Sequence, residues 1–263
     1  MKAIILAAGR GKRLGSLTEV LPKPLLPIAG KPILQGLLEV LAEAGLREAI
    51  VVTAQMAERI RGFCGTGERF GLRLHYVDQG EPRGTGDAVR KCIPLLDGQA
   101  GLIVAGDTAF TAEHIAGLIA FHRAQGAHAS LCLKRLPPER IGLTSSVRLE
   151  EDGRVTRFVE KPAPGEAPSD LAAALLHLYE PAMFDYVTRI GSSPRGEIEL
   201  TEATRRMIED GRRVMGKLFP TPPDLTTIED FLAFNFPYTK PLLDGAPAAD
   251  PSGAPMRAAA QTR

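Results

Sequence analysis

Apolar residues in the first half of the chain fall in short unbroken runs separated by longer amphipathic stretches. The runs are Ala3 to Ala8, Ala49 to Thr53, Leu72 to Val77 and Leu102 to Ala105, and helical patterns lie between them at Ile33 to Ala44, Met56 to Phe63, Ala88 to Leu96 and Ala112 to Arg123. A strand without polar alternation is buried on both faces, so a series of such strands joined through helices predicts a parallel sheet covered on each side. The second half changes pattern. Val147 to Glu150 and Val155 to Glu160 flank Asp152-Gly153, a dipeptide that favours a tight reversal, and this antiparallel pair is expected to join the sheet. A strand at Arg213 to Phe219 separates helices predicted around Leu200 to Glu209 and from Thr227 to Phe236. The fold class that follows is α/β, a doubly wound, mostly parallel mixed sheet with helices on both faces.

Composition narrows the partners. Of 263 residues, 44% are hydrophobic and 24% charged, and a net charge of +1 gives no electrostatic footprint for nucleic acid or a membrane surface. A small-molecule partner is expected. No apolar run is long enough to cross a bilayer, and Met1-Lys2 leads straight into a core strand without the series that marks a signal peptide. Cys64, Cys92 and Cys132 are odd in number and widely spaced, which fits neither a disulfide framework nor a metal knuckle and points to a reducing compartment. These features predict a cytoplasmic protein with one domain over residues 1–240, and they leave a homo-oligomer open. The segment 245–263 is rich in Ala, Pro and Ser, with no large apolar residue beyond Met256, and is expected to be a disordered tail.

Candidate chemistry begins where the first strand ends. Gly9-Arg10-Gly11-Lys12-Arg13-Leu14 presents backbone N–H groups cleared of side chains beside cations that match phosphate charge. A dinucleotide fingerprint is excluded because its third glycine falls on Leu14, and a P-loop because Lys12 is followed by Arg13 in place of Ser or Thr. Pro22 and Pro24 flank Lys23 and are expected to hold it in extended backbone. Leu102 to Ala105 ends in Gly106-Asp107, where a carboxylate at the carboxyl end of a parallel strand would face bound phosphates and could share magnesium with them. The Gln79 amide offers a donor and an acceptor that complement the imide edge of uracil or thymine, and Gly84 lets a base approach the backbone. Asp87 reads as a helix-dipole residue. His75 is expected on a strand, and His114, His122, His128 and His177 are dispersed and read as structural or exposed. No Ser-His or Cys-His nucleophile arrangement is recognisable.

Taken together, these motifs resemble the sugar-1-phosphate nucleotidyltransferases, most closely the glucose-1-phosphate thymidylyl- and uridylyltransferases, from Met1 to about Phe236. The resemblance implies a Rossmann-like fold and Mg2+-dependent in-line transfer of a nucleoside monophosphate from a pyrimidine NTP, dTTP or UTP, to a sugar 1-phosphate. It assigns Leu6, Ala8, Gly9, Gly11 and Lys12 to the nucleotide, Arg13 to the departing pyrophosphate and Lys23 to the phosphates at the reacting centre. Gln79 and Gly84 would form the pyrimidine-reading loop. Asp107 would share the metal with Asp224, whose other reading is a helix N-cap, a role that Thr226 or Thr227 could take instead. Glu160 would accept hydrogen bonds from sugar hydroxyls, Lys161 would hold the sugar phosphate, and Glu197 would border the sugar pocket.

Three departures from the family pattern stand out. Ala7-Ala8-Gly9 replaces paired glycines, and Lys12 replaces a small hydroxyl residue. A small residue, often glycine, is usual on the strand before a Tyr-like position, where this chain reads Ala173-Ala174-Leu175-Leu176-His177-Leu178-Tyr179, so a reshaped sugar pocket is expected. The chain shows no hexapeptide-repeat segment of the kind that bifunctional acetyltransferase relatives carry, so a single activity is expected. The alternatives are a cytidylyl- or guanylyltransferase acting on another phosphorylated alcohol, or a non-catalytic nucleotide or sugar-phosphate-binding regulator, which would have no need of both metal carboxylates.

Overall fold

In the computed structural model, which describes residues 1–236, each apolar run becomes a strand and each amphipathic stretch a helix. The expected tail at 245–263 lies outside the described residues. In chain order the strands are β1 (Lys2–Leu6), β2 (Pro27–Ile28), β3 (Lys31–Pro32), β4 (Glu48–Thr53), β5 (Arg73–Asp78), β6 (Gly101–Ala105), β7 (Ala129–Arg135), β8 (Ser145–Leu149), β9 (Val155–Glu160), β10 (Leu171–Tyr179) and β11 (Val214–Leu218). The helices are α1 (Leu17–Val20), α2 (Ile33–Glu43), α3 (Ala57–Cys64), α4 (Thr85–Cys92), α5 (Ala112–Gln125), α6 (Pro138–Ile141), α7 (Phe184–Arg189), α8 (Leu200–Glu209) and α9 (Ile228–Asn235). His75 lies on β5, as expected. Among the described residues no helix is long and apolar enough to cross a membrane.

Seven strands form one sheet in the order β11-β7-β10-β6-β1-β4-β5. β1 pairs in parallel with β4 and β6, β4 with β5, and β7 with β11, while β10 runs antiparallel between β6 and β7. Burial on both faces accounts for the unbroken apolar runs. Along β1, Ala3 and Ile5 pack with Leu38 of α2, Ile60 of α3 and Leu118 of α5, whereas Ile4 packs on the opposite face with Val89 of α4, Phe184 of α7 and Met207 of α8. Each such fully buried Leu, Ile or Val contributes roughly 1.5–3 kcal/mol of burial free energy, so the sheet is the stiff element to which the loops are attached.

The β8–β9 hairpin forms at the expected turn, with Gly153 at φ +81° and Asp152 Oδ1 accepting from the Arg154 amide at 3.0 Å, but it does not join the large sheet. β10 takes the antiparallel place instead. Its register against β7 shifts between Ala173 and His177, and side chains rather than a ladder tie the hairpin to it and to the segment before it: Ser145 Oγ accepts from the Ala173 amide at 3.3 Å, and Ser146 Oγ donates to the Ser169 carbonyl, ahead of the strand, at 2.8 Å.

Candidate active site

The carboxyl ends of β1 and β6 lie side by side, and a cavity of about 410 Å³ opens there. Gly106 makes this closeness possible: its amide donates to the Leu6 carbonyl at 2.9 Å, and a Cβ at that position would meet the Leu6 oxygen at 3.0 Å and Ala7 Cβ at 3.2 Å. Leu6, Ala8, Gly9 and Asp107 consequently share the cavity wall.

Beyond Gly9, which is exposed, the chain turns at Gly11 (φ +62°) into a single 3₁₀ turn, Lys12–Leu14. Leu14 is fully buried in a small apolar cluster with Leu26, Ile33 and Leu225. That cluster fastens the loop after β1 to the segments carrying Lys23 and Asp224. Lys12 and Arg13 are left exposed on the turn, outside the cavity lining, and neither side chain makes an ion pair or hydrogen bond among the described residues.

Lys23 is not in extended backbone. Pro22 is extended (ψ 139°), but Lys23–Leu25 closes a 3₁₀ turn through Leu25 N–H to Pro22 O at 2.8 Å and Leu26 N–H to Lys23 O at 3.0 Å. Pro24 fits because the first turn of a helix needs no amide donor there. The turn buries Lys23 and puts Nζ 2.7 Å from Asp107 Oδ2 and 3.9 Å from Asp224 Oδ1. Thr108 bridges to Asp224, and the Ala109 amide donates to the Pro223 carbonyl at 2.9 Å, so two aspartates more than a hundred residues apart in the chain are brought together. Asp224 does not cap α9: Thr227 does, in a reciprocal box with Asp230. Burial and the neighbouring Asp107 carboxylate raise the pKa of Asp224, against the lowering effect of Lys23. Among the described residues no third His, Cys, Asp or Glu joins the pair to make an all-protein metal cage. Two carboxylates are the donor set of a magnesium site completed by phosphate oxygens and water, and these residues fit that ion.

On another wall Gln79 is buried, its Nε2 donating to the Gly84 carbonyl at 3.0 Å and to Asp87 Oδ2 at 3.1 Å. Asp87 therefore does more than offset a helix dipole. Gly84 has φ +103°, and a Cβ there would strike the Ile198 backbone. The close approach that requires glycine is thus to another protein segment, which is also held by Gly86 N–H to Ile198 O at 2.8 Å and Ile198 N–H to Arg83 O at 2.7 Å.

Glu160, Lys161 and Glu197 line the same cavity. Lys161 is a non-glycine residue at φ +44°, held by its amide to the Thr144 carbonyl at 2.9 Å. Glu160 accepts from Thr201 Oγ1 at 2.7 Å, and burial raises its carboxyl pKa. Glu197 is exposed at the rim. Glu199, which the motif analysis passed over, is buried and bound by both oxygens to Arg195 at 2.7 and 2.8 Å. The Gly-Glu-x-Glu spacing was the available signal. Phe158, Ala173, Leu175 and His177 line the same cavity.

The histidines divide cleanly. His114 closes a capping box with Thr111 and reaches the Pro220 carbonyl at 2.8 Å, His122 bridges Ser130 and Glu180 at 2.9 and 3.0 Å, and His128 accepts from the Arg213 amide at 2.9 Å. His177 is 3% exposed, with both ring nitrogens buried and lacking a well-formed hydrogen bond. Burial pushes its pKa down to about 4, a loose backbone contact at Ala174 offsetting part of the shift. The unfolded chain thus binds the proton more tightly. Stability should be complete above about pH 6.5 and fall by roughly 3 kcal/mol as the pH drops towards 4. Urea unfolding across that range should show a shallower acid loss in His177→Phe, and an unchanged slope would remove His177 as its source.

The comparisons agree with this architecture. The chain is 33% identical over 250 residues to a glucose-1-phosphate thymidylyltransferase of Streptomyces griseus, covering 93% of this chain and 69% of that protein. It is 32% identical over 200 residues to a UTP–glucose-1-phosphate uridylyltransferase of Synechocystis, covering 71% and 51%. The chain spans about half to two thirds of the length of these curated relatives. A solved UDP-glucose pyrophosphorylase complexed with UDP-glucose has the same fold, with a TM-score of 0.78 at 21% identity over 91% of this chain and 98% of that one. Residues 2–240 match the nucleotidyl transferase family. Because that match runs through every segment that lines the cavity and through the Lys23, Asp107 and Asp224 cluster that adjoins it at Asp107, the chain belongs to the nucleotidyl transferase family.

Proposed function

We propose that the protein transfers a nucleoside monophosphate unit from UTP or dTTP to a sugar 1-phosphate and releases pyrophosphate. The observation that carries this reading is that Gln79 and Gly84 line the same cavity as Glu160 and Lys161, with Asp107 also on its wall. A base-reading group and a phosphate-holding cation in one cavity suit a reaction that joins two phosphorylated substrates.

In this reading the backbone at Leu6, Ala8, Gly9 and Gly11 carries the triphosphate, with Lys12 beside it. Lys161 holds the sugar phosphate, and Glu160 and Glu197 accept from sugar hydroxyls. A sugar phosphate oxygen bonds to the α-phosphorus while the bond from that phosphorus to the bridging oxygen breaks, and pyrophosphate leaves with the electron pair. Lys23 and Arg13 face the charge that builds on the transferred and departing groups. Asp107 and Asp224 would hold magnesium with the phosphate oxygens, and when bound the ion would neutralise charge on those oxygens. No protein nucleophile is required. The three unpaired cysteines are buried, with thiol pKa values pushed up to about 11 for Cys64 and about 12 for Cys92 and Cys132, which suits packing in a cytoplasmic protein and not attack.

A pyrophosphate-release screen across UTP, dTTP, CTP and GTP with a panel of sugar 1-phosphates tests the proposal. UTP or dTTP should be preferred, and Gln79→Ala should reduce that preference by about 1 to 3 kcal/mol, the cost of an unpaired buried polar group. No pyrophosphate with any pair would overturn the reading, and a preference for GTP would overturn the base assignment.

A further inference from the structure

Gln79 is 3% exposed, and its amide is held from one side by α4. Its Nε2 has two acceptors, the Gly84 carbonyl at 3.0 Å and Asp87 Oδ2 at 3.1 Å, while Lys91 Nζ donates to its backbone carbonyl. Asp87 is 5% exposed, in the first turn of α4. A carboxylate and a carbonyl have no hydrogen to give, so turning the amide round would press its oxygen against two others. The orientation is therefore set by chemistry. Gln79 Oε1 makes no hydrogen bond among the described residues, and Gln79 lines the cavity, so the oxygen is the end left for a ligand.

We infer that Asp87 is a positioning residue for base selection: it locks the Gln79 amide so that its oxygen meets the base and demands a ring N–H there. The inference rests on the reading of this cavity as a pyrimidine nucleotide site. Uracil and thymine carry a hydrogen on N3 and satisfy Oε1. Cytosine has a lone pair at N3, which would face the lone pairs of Oε1 and leave a buried acceptor unpaired. Discrimination between bases that differ by one hydrogen thus depends on a residue with no part in contacting the base. The start of α4 is itself fixed, because Gly86 donates to the Ile198 carbonyl at 2.8 Å and Thr85 Oγ1 accepts from the Leu200 amide at 3.1 Å.

The test measures kcat/KM for UTP and CTP at saturating sugar 1-phosphate, and nucleotide binding alone by calorimetry, in wild type, Asp87→Asn, Asp87→Ala and Gln79→Ala. Asn keeps the size of Asp but can either accept from or donate to Gln79, so it removes one of the two acceptors that oppose the reversed amide and leaves only the Gly84 carbonyl against it. The CTP:UTP ratio should rise about tenfold in Asp87→Asn, and Asp87→Ala should move it the same way. A purely structural role would weaken both nucleotides together and leave the ratio where it was. If Gln79→Ala changes the ratio while both Asp87 variants keep that of wild type, the inference is overturned and the base-reading assignment stands. If Gln79→Ala also leaves the ratio unchanged, the base-reading assignment falls and this inference with it.

Discussion

Asp107→Asn and Asp224→Asn should each cost about a hundredfold or more in turnover while the protein stays folded. In the proposed reading both carboxylates hold the cation that meets the phosphates, and Lys23 Nζ lies 2.7 Å from one and 3.9 Å from the other. Each amide keeps the shape of the carboxylate and removes its charge, so the loss should appear in metal-dependent steps and not in melting temperature. Lys23 is buried between carboxylates that are 32% and 36% exposed, and each substitution leaves it one carboxylate and an amide oxygen that can still accept from Nζ, so the fold should persist. Two measurements check this: steady-state turnover with and without excess chelator, and manganese binding in the presence of nucleotide. Full wild-type activity in chelator would remove the metal from the proposal.

Lys161→Ala and Lys23→Ala should fail in different ways. Lys161, fixed at φ +44° after β9, is assigned to the sugar phosphate in the ground state, so its loss should raise the Michaelis constant for that substrate by about tenfold or more and leave nucleotide binding nearly unchanged. Lys23, buried against Asp107, is assigned to charge that builds during transfer, and an interaction made chiefly in the transition state appears in kcat. Titration with nucleotide alone, followed by kinetics with varied sugar phosphate, separates the two. Loss of nucleotide binding in Lys161→Ala with an unchanged sugar phosphate constant would show that the Glu160-Lys161 assignment is wrong.

The strands and helices of the first half were legible because each apolar run is buried on both faces, and burial is what a hydrophobic period reports. Ile4 and Ile5 face opposite cores one residue apart, which only a doubly covered strand allows. The motif segments were legible for a related reason. Gly106 has no room for a Cβ beside Leu6, and Gly11 has none beside Thr18, so the glycines mark backbone geometry that the chain must spell out locally. The place of the β8–β9 hairpin was not legible. Local patterning predicts a pair of strands and its turn, but which sheet they enter depends on β10, whose register shift against β7 comes from partners far along the chain.

By itself, then, the amino-acid order determined the alternation of buried strands and amphipathic helices, the glycine positions of the loops, and the identity of the charged residues at strand ends. Each of these rests on interactions between near neighbours or on burial alone. Tertiary structure decided what those residues do to one another. Lys23 meets Asp107 and Asp224 because Leu14, Leu26, Ile33 and Leu225 collapse into one cluster. Asp87 meets the Gln79 side chain because α4 turns back beside the end of β5. Gly84 is required by Ile198, more than a hundred residues later. Contacts of that separation depend on how whole elements pack, and packing is a property of the folded chain that no local pattern encodes.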